Sequence, residues 1–212
     1  MGKARTRRRP RSPRGEGDEL RDEILDSAEA LLLDAGSMDA VPIRAIADAV
    51  GVSPPALYLH FDDKDDLFFA VCERRFEDFE RAMIAAGAGV EDPVERLRAL
   101  GRAYIRYGVE RGEHYELLFG PRMVSVAEGR DLSETAGTRA FNLLVDLIAE
   151  GVQARRFREV DPYQAAFAVW SSVHGAVMII LAKGGLGDAF PLPAIDALAD
   201  QICDLVESGL AA

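Results

Sequence analysis

Apolar residues recur at spacings of three and four along most of this chain, the pattern of helices that each bury one face. From Asp18 to Ala35, Leu20, Ile24, Leu25, Ala28, Leu31 and Leu32 fall on one side and acids on the other. Gly36 follows, suited to the left-handed backbone that ends a helix. A shorter run, Pro42–Val50, turns Ile43, Ile46, Ala47 and Val50 inward and stops at Gly51. A third begins at Ser53 and reaches Leu59 or His60. Asp62 and Asp63 then open a long helix, about Lys64 to Ala86, with Leu67, Phe68, Val71, Cys72, Phe76, Phe79 and Met83 as its apolar stripe. After the break GAGVEDP, helices are predicted over Pro93–Glu110, Gly112–Phe119, Leu132–Arg156, Pro162–Lys183 and Leu192–Ser208. No stretch alternates like a half-buried strand, and no repeat of fixed period is visible. The fold class predicted is all-α, with about nine or ten helices.

The stretch GVSPPALYLHFDDKDDL, from Gly51 to Leu67, contains the most specific local chemistry. Proline cannot donate a backbone hydrogen bond, but the first N–H groups of a helix have no intrahelical acceptor anyway. Pro54 and Pro55 therefore start a helix rather than break one, with Ser53 as the expected cap. Two short helices joined by Val50-Gly51-Val52-Ser53, behind a longer one, form a helix-turn-helix pattern. Ala47 permits the close crossing, Gly51 the turn, and Leu57 the inward anchor. The outward half of the second short helix, Ser53 to Ala56, is then the part that enters a major groove.

Charge sharpens this picture. The net charge is −11, yet Lys3, Arg5, Arg7, Arg8, Arg9, Arg11 and Arg14 place seven of the 25 basic residues in the first 15 positions, without an acid. The remaining 18 basic residues face all 36 acidic ones. Residues 1–17 read as a disordered basic arm that meets nucleic-acid phosphates or enters a minor groove. Two cysteines, Cys72 and Cys203, give neither a disulfide framework nor metal-ligand spacing, which suits the cytoplasm. No metal and no cofactor is expected. No apolar run matches the roughly 18 residues of a membrane span, and Ala165–Ala182, interrupted by Ser171, Ser172, His174 and Gly175, reads as a buried helix. No secretory signal is expected, because the basic start has no apolar stretch behind it.

The run ILDSAEALLLDAG, followed by PIRAIADAVGVSPPALYLHFDDKDDL, resembles the DNA-binding domain of the TetR family of transcriptional regulators over nearly the whole N-terminal domain. The short stretch WSSVHGAVMIIL resembles a subgroup with a Trp and a His-Gly on a late helix. The resemblance implies a three-helix helix-turn-helix domain (residues 18–66) linked by the helix 64–86 to a ligand-binding and dimerisation domain (87–212). It implies a homodimer reading a palindromic double-stranded operator, a repressor released by a small effector. The alternatives are control by a partner protein, or activation. By the same resemblance Ser53, Pro54, Pro55 and Ala56 read bases, Tyr58 and His60 meet phosphate, and Lys64 does so at the start of a helix. Arg44, Leu59 and the arm residues Arg7, Arg8 and Arg9 complete the candidate DNA surface.

That surface departs from the pattern. It has no Arg, Lys, Asn or Gln on the reading helix for bidentate base contacts, and Leu59 stands where a polar or basic residue is common. Across Ser37–Asp66 two bases, Arg44 and Lys64, face six acids. Apolar contacts from Pro54, Pro55 and Ala56 to thymine methyls, with DNA shape, are left to supply specificity. The arm is left to supply affinity. Deleting residues 1–15 is therefore expected to lower both the affinity and the slope of log K against log salt, measured by titration across a salt series; an unchanged slope sinks the idea.

Beyond the long helix, Tyr104, Tyr107, Phe119, Met123, Phe141, Trp170, His174 and Met178 are candidate ligand-binding residues, with Leu144 and Phe167 beside them. Taken singly, each fits an ordinary core better, because most aromatics at helical spacing are core. His174, four residues from Trp170 in an apolar helix, needs a partner: a ligand, a backbone carbonyl or the other subunit. The acid excess favours an apolar, neutral or cationic effector. The helices 162–183 and 192–208 are the expected dimer interface, or else are buried within one subunit. Three histidines and no HExxH, GxSxG, CxxC or paired-carboxylate motif argue against an enzyme.

Overall fold

A computed structural model describes residues 17–182, 191 and 193–211. The fold is all-α. Among these residues there are ten α-helices and no strand beyond a single bridge between Phe157 and Ala211. In order they are α1 (Gly17–Ala35), a 3-10 turn (Met38–Ala40), α2 (Ile43–Val50), α3 (Pro54–Leu57), α4 (Lys64–Gly87), α5 (Pro93–Glu110), α6 (Gly112–Phe119), α7 (Pro121–Ala127), α8 (Ala136–Gln153), α9 (Pro162–Ala182) and α10 (Ile195–Leu210). The described residues divide into two compact units: 17–74 with Leu117–Arg130, and Arg75–Glu116 with those from Asp131 onward.

In the first unit, α1 buries Ile24, Leu25, Ala28 and Leu32. Gly36, at φ 64°, donates its N–H to the Leu32 carbonyl at 2.9 Å and closes the helix. α2 contributes Ile46 and Ala47, both fully buried. Gly51, at φ 79°, takes the left-handed conformation that few other residues accept, and its N–H returns to the Ala47 carbonyl. The start of α4 is a reciprocal cap: Asp63 accepts from the Asp66 N–H at 2.7 Å, and the Asp66 carboxylate accepts from the Asp62 N–H at 3.2 Å. Arg74 ties α4 to α1 through Asp26 at 2.8 Å and the buried Glu29 at 3.0 Å.

Expected and observed elements differ in several places. The helix predicted over Leu132–Arg156 is shorter, because Thr135 accepts from the Thr138 N–H and so caps α8. Before it lies α7, which the pattern alone did not indicate; Pro121 takes its first turn and Gly129, at φ 78°, follows its end. In the second unit Leu97, Leu147, Ile148, Phe157, Ala166, Val169 and Leu210 form one buried cluster. α9 does not read as the buried helix expected. It is 21 residues long and contains an 18-residue stretch of mean hydropathy 1.8, long and apolar enough to cross a membrane by length and composition, yet only 28% of that stretch is buried within the chain.

Candidate nucleic-acid interface and polar core

α3 is a single turn, Pro54–Leu57, rather than a helix reaching Leu59 or His60. Beyond Leu57 the backbone tightens: the His60 N–H bonds to Leu57 at 2.9 Å and that of Leu59 to Ala56 at 3.4 Å, three-residue closures that do not continue an α-helix. Ser53 occupies the cap position, but its side chain makes no capping bond. The sequence explains why. Pro54 and Pro55 have no N–H, and the Ala56 N–H already bonds to the Ser53 carbonyl at 2.8 Å. The serine hydroxyl therefore has no donor in this first turn to accept from.

The turn has one inward side chain, Leu57, 1% exposed. Phe61, also buried, lies under the Arg21 guanidinium, which sits 5.1 Å from the ring centre. Around these anchors Pro55 is exposed, Ser53, Pro54, Ala56, His60 and Lys64 are half-buried, and Tyr58 is half-exposed. Leu59 is 84% exposed. Arg44 is exposed and reaches Asp48 only at 4.0 Å. The structure thus gathers Ser53–Lys64 on one turn and its exit, with apolar side chains facing outward. Arg7, Arg8 and Arg9 lie outside the described residues.

Two residues of this unit had no signal in the sequence. Arg122, on α7, pairs with Asp65 and lies 3.8 Å from Asp39. Arg130, just beyond, pairs with Asp66 at 3.1 Å, donates to the Val126 carbonyl at 2.9 Å and stacks over the Phe69 ring at 4.6 Å. Separations of 57 and 64 positions put these pairs beyond any local pattern.

Of the ligand candidates, Tyr104, Tyr107, Phe141, Trp170, His174 and Met178 belong to the second unit, and Phe119 and Met123 to the first. The second unit joins three of them, with Tyr115, into one polar chain. The Trp170 indole N–H donates to the Tyr104 hydroxyl at 2.9 Å, and the hydroxyls of Tyr104 and Tyr115 meet at 2.7 Å. The Tyr115 hydroxyl lies 2.6 Å from Nδ1 of His174. Trp170 and His174 stack at 5.1 Å. His174 therefore has Tyr115 as its partner, which is none of the three expected. Tyr107 packs edge-on to Phe79, and its hydroxyl donates to the Arg75 carbonyl at 3.4 Å. Phe141 meets Trp170 and Tyr163 edge-on, and Met178 is 38% exposed.

Donor counting orients the chain. Indole can only donate, so Tyr104 accepts from it and spends its own proton onward. Burial pushes the Tyr104 hydroxyl up to about 12 and raises that of Tyr115 further, so both stay protonated. Burial lowers His174 below its usual 6.5, so its imidazole is neutral and Nδ1 accepts from Tyr115. A base whose folded pKa lies below its unfolded value binds fewer protons when folded. Its stabilisation is complete above about pH 6.5 and is lost as pH falls through the folded value. The thermal midpoint is expected to drop between about pH 7.5 and about pH 5, and His174→Asn, which keeps an acceptor but does not titrate, is expected to flatten part of that drop. Identical slopes for the two proteins, by calorimetry, contradict the assignment.

Two family models match this chain. Residues 24–71 match "Bacterial regulatory proteins, tetR family", and residues 97–206 match "Tetracyclin repressor-like, C-terminal domain". The chain is 30% identical over 168 residues to the HTH-type transcriptional activator FasR of Mycolicibacterium smegmatis, covering 78% of this chain and 75% of that one. It is 24% identical over 199 residues to the HTH-type transcriptional repressor KstR2 of Rhodococcus jostii, covering 90% and 91%. The solved structure of the regulator FadR from Bacillus subtilis in complex with stearoyl-CoA shares the fold, with TM-score 0.68 at 16% identity over 89% of this chain and 98% of that one. With a one-turn helix seated on Leu57 behind the glycine turn, and with both halves matched, the chain belongs to the TetR family of transcriptional regulators.

Proposed function

We propose that this protein acts as a homodimer that binds a palindromic operator through Ser53–Lys64 of each copy and responds to a small effector taken up by the second unit. The observation that carries the reading is α3 itself. A single turn held by one buried leucine, with Pro55, Tyr58 and Leu59 outward, has too little inward surface to serve as packing. It is shaped to be inserted into a groove. Arg44, Tyr58, His60 and Lys64 are placed to meet phosphate, and Pro54, Pro55, Ala56 and Leu59 offer methyl and methylene surface to base edges. Binding to chromosomal DNA implies a cytoplasmic protein.

The dimer rests on α9 and α10. On α9, Tyr163 is 60% exposed, Phe167 51% and Ile179 49%, while Leu205 on α10 is 66% exposed. Between the two helices runs a groove of about 440 Å³ lined by Ser172, Gly175, Ile179, Leu198 and Ile202. Apolar surface of this extent on a soluble regulator is suited to a second copy. The effector is taken up within the second unit around Tyr104, Trp170 and His174, whose hydroxyl, indole and imidazole groups offer polar anchors among Phe141, Tyr107 and Met178. Repression is the primary reading. Activation is the second, favoured by the name of the relative FasR.

Selection of bound DNA from a random pool at fixed salt, with sedimentation of the protein alone, tests the reading. A recovered inverted repeat and a dimer support it; a monomer that enriches no sequence overturns it. Thermal shifts against metabolites then test the effector, because a ligand of the folded state raises the midpoint with occupancy.

A further inference from the structure

We infer that Arg122 and Arg130 are positioning residues for DNA binding, acting by neutralising the acids that the DNA-binding unit carries beside its phosphate-facing groups. The inference rests on the DNA-binding reading above. The three-helix motif has an electrostatic problem that its own helices do not solve. Between Ser37 and Asp66, Asp39, Asp48, Asp62, Asp63, Asp65 and Asp66 outnumber Arg44 and Lys64. Asp65 and Asp66 directly follow Lys64 in the first turn of α4. Carboxylates so close to a helix start stabilise the helix, but they repel the phosphate that the same helix start and Lys64 would attract. Their separation from such a phosphate is well within the Debye length of about 10 Å at moderate salt, so solvent ions do not remove the repulsion.

The segment 117–130 supplies the counter-charge. Arg122 engages Asp65 and lies near Asp39, and Arg130 engages Asp66. Three of the six acids are thereby matched by basic residues from outside the three-helix motif. Neither arginine is a loose surface cation. Arg122 is 37% exposed and Arg130 32%, and Arg130 is further held by the Val126 carbonyl and the face of Phe69. Of the other three acids, Asp63 caps α4 and Asp48 faces Arg44. The charge balance of the DNA-binding motif thus depends on residues that lie outside its three helices.

The test is a charge-rescue series in the full chain, read by fluorescence anisotropy on the operator recovered by selection. Arg122→Ala with Arg130→Ala is expected to weaken binding about tenfold, the sum of two modest charge effects. Adding Asp65→Asn and Asp66→Asn to that protein is expected to restore affinity to within about threefold of the native chain. Asp65→Asn with Asp66→Asn alone is expected to bind at least as tightly as the native chain, because the freed arginines then add positive charge. Direct phosphate contact by the arginines predicts instead a shallower salt slope and no rescue; a purely structural tie predicts weaker binding from the asparagine pair alone. Either result overturns the inference. Melting by circular dichroism identifies any variant that fails to fold, and the asparagine pair, which retains both arginines, then decides. If the native chain binds no DNA, the proposed function fails; if it binds and the variants match it, only this inference fails.

Discussion

Leu57→Ala is expected to destabilise the helix-turn-helix unit by about 2–5 kcal/mol and to remove sequence-specific DNA binding. The magnitude follows from burial and the functional loss from geometry. Leu57 is 1% exposed and is the only buried residue of α3. Pro54 and Pro55 stiffen the entry of this turn, but they are weak anchors against α2, because Pro54 is only half-buried and Pro55 is exposed. Truncating Leu57 leaves a void beneath a helix with no second anchor, so the turn loses its register as well as its contacts. Leu59→Ala is the matched control: at 84% exposure it is expected to change stability by less than about 0.5 kcal/mol while still weakening operator binding. Denaturant unfolding followed by anisotropy separates the two. Equal loss of stability in both variants would refute the assignment of one leucine to the core and the other to the groove.

Phe157→Ala is expected to cost the second unit about 3–5 kcal/mol. Phe157 is 2% exposed and belongs to the cluster of Leu97, Leu147, Ile148, Ala166, Val169 and Leu210. It lies against Gly151 so closely that any β-carbon there collides with its ring. The end of α8 explains the approach. Arg156 and Phe157 both donate to the Gly151 carbonyl, at 2.8 and 3.0 Å, and Arg155 takes φ 55°, folding the chain back over the last turn of the helix. Gly151→Ala alone is therefore also expected to destabilise. In the double variant the lost ring leaves room for the new methyl, so the two costs are expected to sum to more than the measured total. Strict additivity, in chemical denaturation of the four proteins, argues against this packing.

How far each site was legible in the sequence depended on the distance over which its physics acts. The turn between α2 and α3 needs Ala47, Gly51 and Leu57 within eleven positions, and each has a local steric reason that the residue type announces. The failed cap at Ser53 was equally local, but it required counting donors: two prolines remove the N–H groups, and the backbone takes the next. The polar chain in the second unit was half visible. Trp170 and His174 share a helix face by spacing, whereas Tyr104 and Tyr115 reach them from 66 and 59 positions away.

By itself, the sequence determined what depends on neighbours in the chain: the helical periods, the proline-led start of α3, the glycine turn and the apolar face of α9. These follow from backbone sterics and from side chains three or four residues apart. Only the tertiary structure decided which charges meet. Arg122 and Arg130 carry no local mark that separates them from other arginines, because Coulomb attraction depends on distance in space and not on position in the chain. Folding brought them to Asp39, Asp65 and Asp66, and it brought the Tyr115 hydroxyl to His174, where burial then selected the neutral imidazole.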